Sequence, residues 1–280
     1  MKSIKSYPVV LTIAGSDSSG GAGVQADLKT FSALGVYGAS AITAITAQNT
    51  LGVHSQCAIA PQMVYDQIKA VFDDLEPSVV KIGMLSNVEA VSAVVDALSH
   101  YSLPIILDPV IVSSSNHRLL SEEAVGVIKA QLLPISTIVT PNIPEMQTLS
   151  GVMLTSEDQK QIAAEHLLDY GVKAVLLKGG HEQGGEKRDL LYIKNGKGLS
   201  VSEYVSETIA TNNIHGTGCT LSSAIAAYMA RGHRLEEAVA LAKRFVTNAI
   251  RAGADVVIGH GYGPVNHGFN PLQMLAYDNR

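Results

Sequence analysis

Residues 9–34 read VVLTIAGSDSSGGAGVQADLKTFSAL, and this stretch decides the class of fold. Its first six residues form a continuous apolar run, which is typical of a strand buried on both faces. A glycine-rich loop, residues 15–23, follows the run. Apolar side chains then recur at helical spacing, and Gly35 stands where a helix would end. The stretch therefore predicts a strand, a loop and a helix in succession.

The same alternation continues along the chain. Short apolar runs predict further strands at Ala39–Thr46, Val79–Ile82, Ile105–Leu107, Ile138–Val139 and Ala174–Leu177. Helix-starting residues separate them: Pro61, Asn87, Ser121, and Thr155 with Asp158 as a capping box. Strands of this kind between helices predict an α/β fold in which helices cover both faces of a mostly parallel sheet.

The end of the chain departs from this pattern. Leu190–Lys194 and Leu199–Val205 flank Asn195-Gly196, which predicts a hairpin with a type I′ turn at one edge of the sheet. Two long helices are expected near Gly216–Arg231 and Leu235–Ala252. No linker rich in proline, serine or charge divides the sequence, so we expect residues 1–280 to form a single domain.

Composition excludes several classes of protein. Hydrophobic residues make up 46% and charged residues 16%, so a long disordered chain is excluded. The net charge of −5 without a basic stripe argues against a nucleic-acid partner. No run of 18 apolar residues exists, so no membrane span is predicted. Residues 30–65 contain no Asp, Glu, Lys or Arg, and we expect this segment to be buried or to line a cleft. Two distant cysteines, Cys57 and Cys219, indicate reduced thiols and a cytoplasmic protein, with Cys57 in the core.

Ligands of parallel sheets bind where the strands end, so the residues that follow each strand are the candidates for function. The first loop is neither a Walker A nor a Rossmann fingerprint, and it is either a flexible turn or a close backbone approach to a ligand. No zinc-site spacing and no Gly-x-Ser-x-Gly elbow is present.

A second glycine segment, His215-Gly216-Thr217-Gly218-Cys219-Thr220, leads into an alanine-rich helix. Backbone N–H groups of glycines at a helix N-terminus form an anion-binding nest. A cysteine at that place is expected to have a lowered pKa. The alternative is a buried small thiol beside a glycine-capped helix.

Charged residues follow three of the predicted strands. Asp108 and Glu145 form a carboxylate pair that could hold Mg²⁺, directly or through water, unless both are solvated loop residues. Lys178 is suited to bind a phosphate as a point charge, unless it is an ordinary surface lysine.

Together these segments resemble the ribokinase-like superfamily, and more closely its hydroxymethylpyrimidine/phosphomethylpyrimidine kinases. The resemblance rests on six stretches in the right order and spacing, which are residues 13–27, 43–50, Lys81-Ile82-Gly83-Met84, Asp108-Pro109-Val110, Lys178-Gly179-Gly180-His181 and 215–220. It implies a three-layer α/β/α sandwich. It also implies a homodimeric enzyme that uses ATP and Mg²⁺ to phosphorylate 4-amino-5-hydroxymethyl-2-methylpyrimidine, and then its monophosphate, in thiamine biosynthesis.

The resemblance also implies roles for individual residues. The pyrimidine would lie against Gly15, Asp27, Gln48, Met84 and Val110. ATP and its phosphates would meet Lys178, Asn142 and Thr217, with Asp108 and Glu145 near the metal. Gly216, Gly218 and Cys219 would form the catalytic anion hole, with Cys219 as a base.

Two features depart from the wider pattern. Most ribokinase-like enzymes have an aspartate at the position of Cys219, whereas the pyrimidine kinases have a cysteine there, as this chain does. The stretch Ser113-Ser114-Ser115-Asn116-His117, the expected flap over the substrate, lacks a glycine. Two other functions stay open at this point: a pyridoxal kinase, which the absence of cysteine in residues 111–118 disfavours, and a non-catalytic pyrimidine-binding module.

Overall fold

The computed structural model describes residues 4–111, 120–180, 185–196 and 198–278. The strands are β1 (Lys5–Ser6), β2 (Val9–Asp17), β3 (Tyr37–Asn49), β4 (Gly52–Ala58), β5 (Val79–Ile82), β6 (Ile105–Leu107), β7 (Ile138–Val139), β8 (Ala174–Leu177), β9 (Glu186–Asn195), β10 (Gly198–Glu207) and β11 (Tyr277–Asp278). The helices are α1 (Gly23–Ala33), α2 (Pro61–Leu75), α3 (Val88–Leu98), α4 (Glu122–Val127), α5 (Ile143–Ser150), α6 (Glu157–Leu168), α7 (Thr217–Ala230) and α8 (Leu235–Gly253). A π turn at Ile128–Leu132 and a 3-10 turn at Leu133–Ile135 continue α4.

Within the described residues, nine strands form one sheet in the order β10-β9-β8-β7-β6-β5-β2-β3-β4. The six central strands, from β8 to β3, run parallel to their neighbours. The outer pairs β8–β9, β9–β10 and β3–β4 are antiparallel. The mostly parallel sheet that the sequence predicts is therefore confirmed.

Apolar layers cover both faces of this sheet. Alternate residues of β2 point to opposite sides, since Leu11 and Ile13 pack with α2, α3, α4 and α6, whereas Val10 packs with α1, α7 and α8. The central strands are apolar on both faces because both faces are buried. The result is a three-layer α/β/α sandwich, as predicted.

The predicted hairpin is confirmed at the β10 edge, with its turn displaced by one residue. Asn195 pairs with Gly198, so residues 196–197 connect the strands and Asn195 belongs to β9. Lys197 lies outside the described residues, so the predicted type I′ turn stays a prediction.

At the opposite edge the sequence prediction is incomplete. The charge-free segment contains an additional strand, β4, whose residues His54 to Ala58 are exposed. Cys57 lies on this strand and is exposed, so its predicted place in the core is wrong. An edge strand shares one of its sides with solvent, which apolar composition alone does not reveal.

Most predicted helix starts are confirmed. Asn87 accepts a hydrogen bond from the Ala90 N–H, and Ser121 accepts one from the Ala124 N–H. The cap of α6 is Ser156, which accepts from the Gln159 N–H, so the predicted box of Thr155 and Asp158 is wrong by one residue. A search of the described part of the chain found no helix with the length and apolarity of a membrane span.

Candidate active site

The carboxyl ends of the parallel strands bring the predicted site residues to one edge of the sheet. The N-terminus of α7 meets this edge, and its first turn faces two charged side chains. A Cβ added to Gly218 would lie 3.4 Å from Lys178 Nζ and 3.7 Å from Asp108 Oδ2. Ser222, one turn further along α7, donates to Asp108 Oδ2 at 3.2 Å. The end of β6, the end of β8 and the start of α7 therefore form one cluster.

Lys178 is held between two buried carboxylates. Its ammonium lies 2.8 Å from Asp108 Oδ1 and 3.8 Å from Glu145 Oε2. Burial by itself would raise the pKa of Asp108. The positive charges of Lys178 and Lys81 outweigh burial and keep this pKa below its ordinary value. Burial raises the pKa of Glu145 to about 7, since the nearby Lys178 charge offsets it only in part and Asp108 adds to it. The cluster thus holds one ionised carboxylate and one that is near its midpoint at neutral pH.

Asn142 and Glu145 are fixed by each other. The Asn142 side chain accepts from the Glu145 N–H at 2.9 Å, and Glu145 Oε2 accepts from the Asn142 N–H at 2.8 Å. This capping box begins α5, a helix that was not predicted from the sequence. Asn142 also bridges to Lys178 through the backbone. The capping box therefore places Glu145 beside the lysine.

Two glycine segments interlock at the start of α7. Gly216 caps the helix with φ 79°, and a Cβ on it would lie 1.8 Å from Gly21 O. Both the left-handed backbone and the close approach require glycine there. The helix that follows has 14 residues, and the positive end of its dipole faces the Lys178 cluster at Gly218. The Thr217 N–H donates to Ile214 O at 3.3 Å, so the Gly218 N–H is the donor that this turn offers to an anion. The geometry supports an anion nest at this place.

Cys219 lies half-buried in the first turn of α7. Burial raises the pKa of its thiol to about 11; the Lys81 charge opposes this, and the carboxylates of Asp27 and Asp108 add to it. The expected lowering of this pKa is therefore wrong. The helix dipole is outweighed by loss of water and by two nearby negative charges.

Asp27 lies fully buried behind the site. Its two carboxylate oxygens lie 3.0 and 2.9 Å from Lys81 Nζ and accept from Thr12 and Ser223 hydroxyls, each at 2.6 Å. These four contacts occupy the carboxylate, so the structure places Asp27 as a support of the α7 start. Its predicted contact with the pyrimidine stays a prediction.

Apart from Asp27, which lies in α1, the residues expected around the pyrimidine lie at the ends of β2, β3, β5 and β6. A Cβ on Gly15 would lie 2.6 Å from Met84 Cε, so the two residues are packed together. Val110 is half-buried two residues beyond Asp108. The Gln48 side-chain amide lies near His215 and Thr46. The Gln48 backbone N–H donates to the Ser18 hydroxyl, and the Gln48 carbonyl accepts from it. Gln48 is half-buried, which leaves part of its side chain open to a ligand.

Three residues with evident roles here were given none from the sequence. Lys81 is a lone charge inside an otherwise apolar strand, a signal that could have marked it. Asp17 and His215 are joined by a 2.8 Å contact between the two glycine segments, and no sequence signal relates residues 198 positions apart. The predicted flap, residues 113–117, and His181 lie outside the described residues.

Asp108 and Glu145 fit a Mg²⁺ ion that keeps most of its water ligands. In the part of the chain that the structure describes, no three His, Cys, Asp or Glu side chains are grouped as a metal site would require. Asp108 and Glu145 supply two carboxylates, and Mg²⁺ ordinarily uses one or two of these with waters and phosphate oxygens. Burial is the main cause of the raised pKa of Glu145, and a cation bound beside this carboxylate would favour its ionised form.

Comparison with known proteins indicates the family of this chain. The sequence model described as phosphomethylpyrimidine kinase matches residues 17–266. A hydroxymethylpyrimidine/phosphomethylpyrimidine kinase of Rhizobium meliloti is 46% identical over 260 residues, covering 92% of this chain and 96% of that protein. The thiamine biosynthesis bifunctional protein ThiED of Geobacter sulfurreducens is 47% identical over 259 residues, which cover 92% of this chain and 52% of that protein, so the chain spans about half its length.

A solved structure gives the same fold. The pyridoxal kinase from Staphylococcus aureus in complex with ADP is 33% identical, with a TM-score of 0.86 and 96% of each chain covered. The ribokinase-like sandwich that the resemblance implied is thereby confirmed. Because a family model covers most of the chain and the relatives share almost half of its residues, this chain belongs to the phosphomethylpyrimidine kinase family.

Proposed function

We propose that this chain phosphorylates 4-amino-5-hydroxymethyl-2-methylpyrimidine with ATP and then phosphorylates the monophosphate to the diphosphate. The observation that carries the proposal is the cluster of Gly218, Lys178 and Asp108 at the start of α7. It offers N–H groups, a helix dipole and an ammonium to phosphate oxygens. Gly15, Gln48 and Met84 lie at strand ends along the same sheet edge and would hold the pyrimidine.

The proposed division of labour follows from the positions of these residues. ATP, when bound, supplies the phosphoryl group, and its Mg²⁺ would face Asp108 and Glu145 through waters. Asn142, Lys178 and Thr217 would bind phosphate oxygens, and Gly216 and Gly218 would stabilise the charge that develops in transfer. Cys219, in the first turn of α7, and Asp108, which faces that turn, are groups that could take the hydroxymethyl proton. Asp108 is a weak base because its pKa is lowered by lysine charges.

The test is a phosphate-transfer assay with MgATP and three acceptors: the hydroxymethylpyrimidine, its monophosphate and pyridoxal. We expect turnover of both pyrimidines, with the higher kcat/KM for these over pyridoxal. Pyridoxal kinase is the second candidate, because the fold matches that of a pyridoxal kinase at 33% identity. A preference for pyridoxal would establish it, and absence of turnover on all three acceptors would contradict the kinase assignment.

Gln48→Ala is expected to raise KM for the pyrimidine roughly 5- to 150-fold, the equivalent of about 1–3 kcal/mol for buried polar partners left unpaired. The KM for ATP should change less than about twofold, because Gln48 lies at the end of β3 and away from the Lys178 cluster. Initial rates against each substrate measure both constants. Gln131→Ala, at an exposed position, is the matched control. An unchanged pyrimidine KM would remove Gln48 from the pocket.

Asp108→Asn and Glu145→Gln are each expected to lower kcat by roughly 10- to 100-fold, the usual effect of losing a residue that orients a metal's ligands. The Mg²⁺ concentration for half-maximal rate should rise in both. Rates measured across a Mg²⁺ titration at fixed ATP test this, with the exposed Asp66→Asn as control. Titration curves that overlay those of the native protein would show that neither carboxylate serves the metal.

We also propose that two copies of the chain associate through the β4 edge. No charged residue occurs between Gly52 and Ala58, whereas the β10 edge carries the ion pairs of Arg188 with Glu203 and of Arg251 with Glu207. Charged side chains on an edge strand ordinarily prevent it from pairing with another chain, and an edge strand without them is free to form such a pair. An identical strand related by a twofold axis closes such a pairing.

Sedimentation of the native protein should therefore show a dimer, and Ser55→Lys on β4 should shift it to monomer. Ser202→Lys on β10 is the matched control and should leave the dimer intact. A native monomer, or a dimer unaffected by Ser55→Lys, would contradict the proposed interface.

We place the single kinase domain, residues 1–280, in the cytosol, because both cysteines are free thiols. The net charge of −5 argues against a nucleic-acid partner.

A further inference from the structure

Asp189 is a buried carboxylate on β9 that the proposed chemistry does not use. Only 3% of the residue is exposed, and its Oδ2 lies 2.8 Å from Nζ of Lys243 on α8. Its Oδ1 accepts a hydrogen bond from the Gly179 N–H at 2.9 Å. Gly179 directly follows Lys178, the lysine of the candidate active site. The carboxylate therefore joins α8 to the main chain beside that lysine.

The bond to Gly179 is made where the pairing of β8 with β9 ends. The last paired residues are Leu177 and Leu190, and the same register would set Gly179 opposite Arg188. A Cβ on Gly179 would lie 1.9 Å from Arg188 O, so this close approach requires glycine. The N–H of Gly179 is accepted by the Asp189 side chain. A charged carboxylate accepts a stronger hydrogen bond than a neutral carbonyl does, so this bond holds the main chain firmly at the end of β8.

Two hydrogen bonds on opposite sides fix the main chain around Lys178. The Lys178 N–H donates to Pro141 O at 2.9 Å, on the side of β7. The next N–H, that of Gly179, points towards β9, and Asp189 accepts it. A lysine stem has four flexible carbons, so the place of its ammonium depends on the direction in which the stem leaves the main chain. Fixing both peptide groups therefore helps to keep Lys178 Nζ at 2.8 Å from Asp108 Oδ1.

Lys243 gives the buried carboxylate a partner of opposite charge. An unpaired charge in the interior is costly, and the Lys243 ammonium at 2.8 Å pairs with Asp189. Lys243 belongs to α8, which packs against α7, the helix that carries the anion nest. The ion pair thus ties the corner after Lys178 to the same layer of helices as the nest.

We propose that Asp189 and Lys243 are positioning residues, which fix through the Gly179 N–H the main chain from which Lys178 reaches the phosphates of ATP. The inference rests on the proposed function, because it takes Lys178 to bind phosphate oxygens. Lys243 acts through Asp189, and Asp189 acts through the peptide group between Lys178 and Gly179.

Two double variants that remove both charges test the proposal. Asp189→Leu/Lys243→Met has no acceptor for the Gly179 N–H, whereas Asp189→Asn/Lys243→Met keeps one in its amide carbonyl. We expect the first variant to raise KM for ATP about 5- to 30-fold, with the pyrimidine KM within about twofold of the native value. The second variant should keep both constants within about threefold. Asp169→Ala, which breaks the exposed ion pair with Lys194 on β9, is the control and should change neither constant.

A background without the lysine shows whether the effect passes through Lys178. In Lys178→Met, adding Asp189→Leu/Lys243→Met should raise KM for ATP less than about twofold further, because the charge that the pair positions is gone. Hydrogen exchange followed by NMR measures the Gly179 bond without turnover. The Gly179 N–H should be protected in the native chain and in the variant that keeps the acceptor, and should exchange about tenfold faster or more in the variant that lacks it.

Four results would overturn the proposal. These are additive effects in the Lys178→Met background, equal KM values for ATP in the two double variants, a rise shared equally by the KM values for ATP and the pyrimidine, and a Gly179 N–H without protection in the native chain. The last result is independent of whether any variant folds. Failure of the proposed function has a different signature: the native chain would turn over neither pyrimidine, while Gly179 exchange would still respond to the loss of Asp189.

Discussion

Cys219→Ala is expected to slow the first phosphorylation by about 10²-fold or more, and the second by less than about tenfold, when both half-reactions are measured on one preparation. The first step removes a proton from a hydroxymethyl oxygen, and a base beside it contributes about 10²–10⁴-fold. The second step begins from a phosphate oxygen that is already anionic, so it needs only the Gly216–Gly218 nest and Mg²⁺. Cys219→Ser keeps the size of the side chain without a usable base and should share the loss.

The pH profile separates a base from a packing residue. Because the pKa of Cys219 is raised to about 11, the thiolate is the minor form at neutral pH. If the thiolate is the base, the first-step rate should rise about tenfold per pH unit above neutrality and level off towards pH 11. The Cys219→Ser profile should lack that rise. Equal, mild losses of rate in both steps, with parallel pH profiles, would show that Cys219 packs at the site and does not act as a base.

Lys81→Met is expected to lower the free energy of unfolding by about 3–5 kcal/mol, the usual cost of leaving a buried charge without its partner. Lys81 and Asp27 are both fully buried, and Lys81 Nζ is bonded to both Asp27 oxygens. Urea denaturation at pH 7 measures the change. The double variant Lys81→Met/Asp27→Asn should recover at least half of the loss, because the neutral amide still bonds to the Thr12 and Ser223 hydroxyls.

The exposed pair of Lys69 and Asp73 provides the matched control, and Lys69→Met should change stability little. If Lys81→Met were as mild as Lys69→Met, the buried pair would not hold α7 against the sheet. If the double variant were no better than Lys81→Met alone, the loss would come from packing and not from the unpaired charge. Retained phosphorylation in the double variant would further show that the pair supports the site without taking part in the reaction.

The fold could be predicted from the sequence because its signals are local. A strand buried on both faces is mostly apolar, so Val9–Ala14 and Ala174–Leu177 were recognised without knowledge of their neighbours. Caps such as Asn87 bond to residues three positions away, and this spacing is visible in sequence. β4 was missed because an exposed edge strand has no burial pattern to display. Cys57 was misplaced for the same reason.

The sequence by itself determined the α/β layers, the edge hairpin, the glycine nest before α7 and the strand ends at which Asp108, Lys178 and Gln48 stand. Only the tertiary structure decided how these groups are charged and oriented, since this depends on partners that are remote in the chain. The Cys219 pKa is raised because burial and the carboxylates of Asp27 and Asp108 outweigh both Lys81 and the helix dipole. Asp17 reaches His215 across 198 positions. Electrostatic and hydrogen-bond energies depend on distance in space and on access to water, and neither quantity is encoded in local sequence spacing.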